Sequence, residues 1–358
     1  MMMLLSVLCA LPLVATGMQP LRFALVPASG ADTVRYTFLT ASRPSGQLKV
    51  WDSPDSVHHA FFEFNDRGRG PRVTERLILG ANGIPTAVDV TGNDYFKNAV
   101  AERFRTENGR ATWQNSAERG SAPTATSFYT AFDGTPEESA VLARALLRAP
   151  AHRLALLPGG EARIEKVDER TVHAKGRART VVQYAISGLD FQPVPIWLDQ
   201  NHDLFASGST WSMVIRQGWE STQAELIEAQ EAAGTRRAST LAKALAHTSR
   251  GALVVRSATL FDAESKTMHP HTTVVVSGNR IAAVGPDSSV TSPKGSEVIE
   301  AAGKTLLPGL WDMHVHVQDD DGLFHIAAGV TTVRDLGNDT DELLKRRRKF
   351  ADGTAIGP

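Results

Sequence analysis

Leu310-Trp311-Asp312-Met313-His314-Val315-His316-Val317 decides how this chain is read. The stretch follows Pro308-Gly309, a turn signal, and has the character of a short buried strand. Side chains alternate faces along a strand, so His314 and His316 project from the same side, within reach of one ion. Two neutral imidazoles form a nitrogen-rich corner suited to Zn2+ or a similar divalent metal. Downstream the pattern changes. Residues 323–328 read as a short helix ended by Gly329, 330–334 as a β-branched strand, and 340–350 as a second helix closed by Asp352-Gly353. Strand, helix, strand, helix in that order opens a parallel α/β structure.

Upstream, short strands are predicted at 253–256, 273–277, 280–284, 298–300 and 305–307, with Gly278-Asn279 as a tight hairpin turn. Three stretches carry a resemblance in register. The first is Thr273-Val274-Val275-Val276-Ser277-Gly278-Asn279-Arg280-Ile281-Ala282-Ala283-Val284-Gly285. The second runs Ala302-Gly303-Lys304-Thr305-Leu306-Leu307-Pro308-Gly309 into the histidine strand. The third is Ala328-Gly329-Val330-Thr331-Thr332-Val333-Arg334-Asp335-Leu336-Gly337. Over 253–358 the chain thereby resembles the metal-dependent amidohydrolase superfamily, especially its imidazolonepropionase-like branch.

The resemblance implies that 250–311 is part of a small β-sandwich and that His-X-His ends the first strand of a TIM (β/α)8 barrel. His314 and His316 are then metal ligands, with Zn2+ the expected ion, one or two per intact enzyme. Such an ion lowers the pKa of bound water toward ~7 and polarises a carbonyl. In that family the other ligands and the proton shuttle are a carboxylated lysine, two histidines and an aspartate from later strands. A complete barrel takes ~250 residues. Residues 312–358 supply only its first βα units, so the catalytic residues are expected beyond Pro358 and the chain as given is expected to be inactive.

Other polar residues invite weaker readings. Asp312 shares the histidines' parity and is assigned packing or hydrogen bonding. Arg334 and Asp335 end the second strand, and Arg334 is expected to pair with a carboxylate. His269-Pro270-His271 is placed in an exposed loop before a strand. His58 and His59 are adjacent, so on a strand they face opposite ways and cannot share an ion. Asp319-Asp320-Asp321 reads as a helix start. Lys345-Arg346-Arg347-Arg348-Lys349 wraps a helix without interleaved aromatics, and the formal net charge is −1, which argues against nucleic acid.

At 358 residues, 42% hydrophobic and 22% charged, the chain has the size of two or three globular domains. Residues 1–15 are apolar but shorter than the ~20 a membrane span needs. Ending at Ala15-Thr16-Gly17, they read as a signal peptide over 1–17, which places the protein outside the cytoplasm, periplasmic or secreted. Cys9, the only cysteine, lies inside it, so the mature chain has no thiol.

Residues 18–217 are expected to form an antiparallel β-rich module of short strands and Asn-Gly or Pro-Asp turns. One helix interrupts it, started by a Thr135/Glu138 capping box with Pro136 and stopped by Pro150. Residues 218–249 read as a connector of two helices, 220–233 and 236–247, split by Gly234. The expected fold is multidomain α+β.

The favoured function is metal-dependent hydrolysis of a carbon–nitrogen bond in a small amide or dipeptide. The alternative is an exported binding module for lipid, glycan or protein with a vestigial hydrolase tail. A nucleobase deaminase would carry the same histidine pair.

Overall fold

The computed structural model describes residues 33–123, 126–317, 321–337 and 339–358. The leader read at 1–17, with Cys9, and the aspartates Asp319-Asp320 lie outside the described residues. The protein is mostly β-rich and multidomain, built on large sheets.

The N-terminal domain is one fifteen-stranded sheet. Its first half is a meander of β1 Val34–Thr40, β2 Arg43–Asp52, β3 Val57–Phe64, β4 Arg72–Leu79, β5 Pro85–Asn93, β6 Ala99–Glu107, β7 Arg110–Gln114 and β8 Arg119–Pro123. After β9 Phe128–Tyr129 and helix α1 Pro136–Arg148 come β10 Arg153–Leu157, β11 Glu161–Ala174, β12 Arg177–Ser187, β13 Val194–Asp199, β14 Leu204–Gly208 and β15 Ser212–Arg216. β15 returns to pair antiparallel with β1, Tyr36 opposite Arg216, which joins the halves.

The sheet curls around α1. Glu137 of the helix reaches His58 on β3, Thr135 at its start reaches Glu75 on β4, and the helix also packs on β11, β13 and β14 of the other half. Tyr129 of β9 stacks on Phe104 of β6, centroids 4.5 Å apart. Alternation explains the inward set: Leu48, Ala60, Phe62, Val73, Leu77, Val88, Val90 and Phe104 all join the core around α1. On the outer face of β11–β15, Trp197, Phe205, Met213, Ile215 and Trp219 form a second cluster with Leu226, Ile227 and Ala229 of a long helix.

Several expectations are corrected. Thr135 does sit at the N-cap of α1, but makes no side-chain cap bond. Its hydroxyl donates to Glu75 instead, and Glu138 accepts from the Ala131 N–H, so the capping box does not form. The local pattern does not mark β1, β6 to β11 or β15 as separate strands. In β11 (EARIEKVDERTVHA) the buried positions are small or few and the rest polar, which hides a strand behind charge.

The predicted pair of connector helices is a single helix, α2 Gln223–Leu245. Ala-rich flanks outweigh the roughly 1 kcal/mol cost of a mid-helix glycine. Nothing lies within 4 Å of a Cβ built on Gly234. Gly234→Ala is therefore expected to raise the stability of α2 by up to about 1 kcal/mol, read as an increase in the urea midpoint.

Beyond α2, β16 Leu253–Asp262 is the hub of a five-stranded sheet with β17 Thr267–Ser277, β18 Arg280–Pro286, β19 Glu297–Glu300 and β20 Thr305–Leu306. β17 and β18 turn at Gly278-Asn279, Ser277 opposite Arg280, as the dipeptide predicted. His269-Pro270-His271 lies within β17 rather than in a loop before it, with both histidines exposed on the strand's outer end. The last unit is β21 Leu310–Val315, α3 Asp321–Ala327, β22 Val330–Asp335 and α4 Thr340–Ala351, with β21 and β22 parallel. Among the described residues no helix is long and apolar enough to cross a membrane.

Candidate metal-binding edge

Gly309 admits the histidine strand. A Cβ there would lie 2.0 Å from Thr331 Oγ1, so only glycine lets the chain enter β21 this close to β22. The Leu310 N–H donates to Gly329 O at 2.8 Å, and Leu310 stands opposite Val330. Alternation then buries Val315 and Val317 and leaves His314 and His316 exposed on the other face. The imidazole centroids are 5.5 Å apart at an interplanar angle of 66°, so the two rings share one side of the chain. They sit at the C-terminal edge of the parallel pair, where a βαβ unit gathers its functional loops.

The surrounding polar groups brace this edge. Asp312 Oδ1 accepts the His314 N–H at 3.1 Å, the hydrogen-bonding role its parity predicted. Asp335 accepts the Val317 N–H at 2.9 Å and the Gly337 N–H at 3.0 Å, tying the ends of β21 and β22 together. Gly337 also makes room for the His316 ring, whose Nδ1 would lie 2.2 Å from a Cβ at that position. Among the described residues Arg334 has no carboxylate partner of the kind expected; its Nε donates to Met313 O at 3.0 Å.

The donor chemistry fits a borderline divalent ion, although the edge is incomplete by itself. Catalytic zinc takes three protein ligands, and among the described residues no group of three His, Cys, Asp or Glu is placed to hold a metal. His269 and His271, on β17, do not join the pair. His59 stacks flat on Trp51, centroids 5.1 Å apart.

His58 faces the other way, as adjacency required, and enters a polar cluster that sequence reading missed. Its Nε2 lies 3.2 Å from Glu137 Oε1, and Arg144 Nη2 reaches the same oxygen at 2.7 Å. Burial works against ionised Glu137, but Arg144 and then His58 more than offset it and hold the carboxyl below the usual range. Glu102 accepts the Tyr129 hydroxyl at 2.6 Å and the N–H groups of Phe132 and Asp133. Glu75 Oε2 takes the Thr135 N–H at 3.0 Å and its hydroxyl at 2.6 Å. Burial pushes the Glu75 carboxyl up to about 7, and burial followed by the charge of Glu75 raises Glu138 beside it. The available signal is parity: Glu75 shares its face with Val73 and Leu77, and Glu102 with Val100 and Phe104.

No protein-family model matches the chain. It is 40% identical over 82 residues to an adenine deaminase of Rubrobacter xylanophilus, a match covering 22% of this chain and 14% of that enzyme. It is 39% identical over 66 residues to adenine deaminase 3 of Rhizobium meliloti, covering 18% and 11%. The matches thus span only 11–14% of these relatives' own length. Among solved structures, a molinate hydrolase is 24% identical with a TM-score of 0.29, over 31% of this chain and 29% of that one. A β-barrel-like protein from Brucella abortus is 10% identical with a TM-score of 0.34, over 51% and 94%. Both structural likenesses are weak. The matched relatives are adenine deaminases, and the likeness to them is confined to about a fifth of this chain.

Proposed function

We propose that residues 312–358 open a (β/α)8 barrel of amidohydrolase type, and that His314 and His316 supply two ligands of a divalent metal, zinc by donor chemistry. The observation that carries this reading is the pair of imidazoles on one face at the C-terminal edge of a parallel βαβ unit. A metal held there supplies Lewis acidity and an activated water for attack at a carbon–nitrogen bond. The chain's own part is orientation. Asp312 fixes the backbone at His314, Gly337 gives the His316 ring its place, and Asp335 keeps the two strand ends together.

Among the described residues no third ligand joins the pair, so the two imidazoles are proposed as part of a larger ligand set. Adenine deaminase as the activity of the matched relatives favours a heterocyclic substrate over a dipeptide. The apolar leader sequence supports export.

A second reading, a binding role for the N-terminal domain, draws on one feature. α1 fills the interior of the curled sheet, so a ligand would sit in the open depression of about 760 Å³ bordered by Arg35, Gln47, Glu63, Arg72, Lys97 and Glu220.

Calorimetric titration with Zn2+ tests the main reading. One site per chain is expected, weakened at least ~10-fold by either His314→Ala or His316→Ala and unchanged by His269→Ala. Equal zinc binding in all three variants would remove the pair as ligands.

A further inference from the structure

The histidine-bearing unit is touched at two separate places, once by α2 and once by the N-terminal domain. Along the helices, Lys349 Nζ of α4 donates to Thr235 Oγ1 of α2 at 3.1 Å, and Lys345 of α4 feels the charge of Glu231 of α2. Both positions advance by four residues, one helical turn, so α2 and α4 lie side by side and parallel. The second contact comes from the loop at 188–193, between β12 and β13. Gln192 Nε2 donates to Asp321 Oδ1 at 2.7 Å, and the Phe191 ring lies 5.2 Å from that of Phe324 at an interplanar angle of 50°.

Topology places that second contact. β21 and β22 are parallel and joined through α3, so α3 begins at the edge where β21 ends, beside His316. Asp321 follows His316 by five residues, and even fully extended chain spans no more than about 17 Å over that length. Phe324 is in the first turn of α3. The loop therefore meets the hydrolase unit at its functional edge and away from the far end of the barrel strands. Phe191 is 82% exposed despite its ring contact, so its free face is available to a ligand. An aromatic face beside a carboxamide suits a planar, hydrogen-bonding ring.

We propose that the 188–193 loop is a wall of the metal-bearing edge, with Phe191 and Gln192 bordering the path by which a planar small-molecule substrate reaches His314 and His316. This rests on the metal reading above. The N-terminal domain is then a part of the substrate site and not a tethered passenger.

Paramagnetic Cu2+ added to the isotope-labelled full chain tests the placement through amide line broadening. Broadening is expected at Val315 and Val317 and also at Phe191 and Gln192, with Gly109 sharp, and all of it should vanish in His314→Ala/His316→Ala. Broadening at Val315 and Val317 that spares Phe191 and Gln192 would overturn the wall and leave the metal pair standing. Absence of broadening everywhere would instead remove the metal pair. Hydrogen exchange then decides the contact. Phe191→Ala/Gln192→Ala is expected to speed exchange of the α3 amides about tenfold by removing a hydrogen bond and a ring contact. Unchanged exchange would overturn the inference.

Discussion

Glu137→Ala is expected to lower the unfolding free energy of the N-terminal domain by about 3–5 kcal/mol, the loss seen when one partner of a buried ion pair is removed. Glu137 is 2% exposed, and one of its oxygens serves both Arg144 and His58. Arg144 and His58 are themselves largely buried, with side chains 16% and 14% exposed. Deleting the carboxylate leaves a guanidinium and an imidazole facing each other without the charge that justified burying them. Asp52 touches the same imidazole at 2.7 Å but is 75% exposed, so Asp52→Ala should cost no more than about 1 kcal/mol. Urea melts followed by tryptophan fluorescence compare the two. Equal losses would mean that burial is not what makes Glu137 matter. In a His58→Ala background the Glu137→Ala loss should shrink, because one stranded charge is already gone.

The contrast between these residues also shows what the sequence makes legible. At the histidine edge, Pro-Gly, alternation and the switch from strand to helix were all local signals, and the imidazoles are brought together as alternation requires. In the N-terminal domain local signals gave the meander. β3 Val57–Phe64 carries local signals, with Ser53-Pro54-Asp55 before it and five apolar residues among its eight. β11 does not, since its outward charges outnumber its inward Ala162, Ile164, Val172 and Ala174. Nothing in the residues next to Glu75 and Glu102 distinguishes them from surface acids except their parity. Only the closure of the sheet around α1, a long-range event, turns their inward parity into burial. The Thr135 cap failed for the same reason: a buried carboxylate on β4 outcompeted the helix's own first turn for the hydroxyl. The 188–193 loop carries no motif either, and its contact with α3 depends on how two domains meet.

The buried acids predict an inverted pH response. A carboxyl whose folded pKa lies above its unfolded value stabilises the fold fully below the unfolded pKa, and that contribution disappears as pH rises through the folded one. Glu75 is raised from 4.5 to about 7 and Glu138 is raised beside it, so both favour the folded state in mild acid. His58 acts in the same direction. Burial alone would lower it, but Glu137 and then Asp52 hold it above its usual value, so its contribution also fades with rising pH. Glu137, held low, sets the acid limit, since its contribution is lost as pH falls through its depressed pKa. Among the described residues no donor reaches the buried Glu75 Oε1, so Glu138, which interacts with the same carboxyl, is the neighbour able to serve it once protonated. The domain should therefore be most stable in mild acid and lose on the order of 3 kcal/mol by about pH 8, from the Glu75 shift at 1.36 kcal/mol per pKa unit. Glu138→Gln supplies a permanent donor without a second charge, so the loss between about pH 5 and about pH 8 should fall to less than roughly half. Urea melts of both proteins across that range read the difference directly. Wild-type stability that stays level or climbs with pH would mean the two acids do not share a proton inside the sheet.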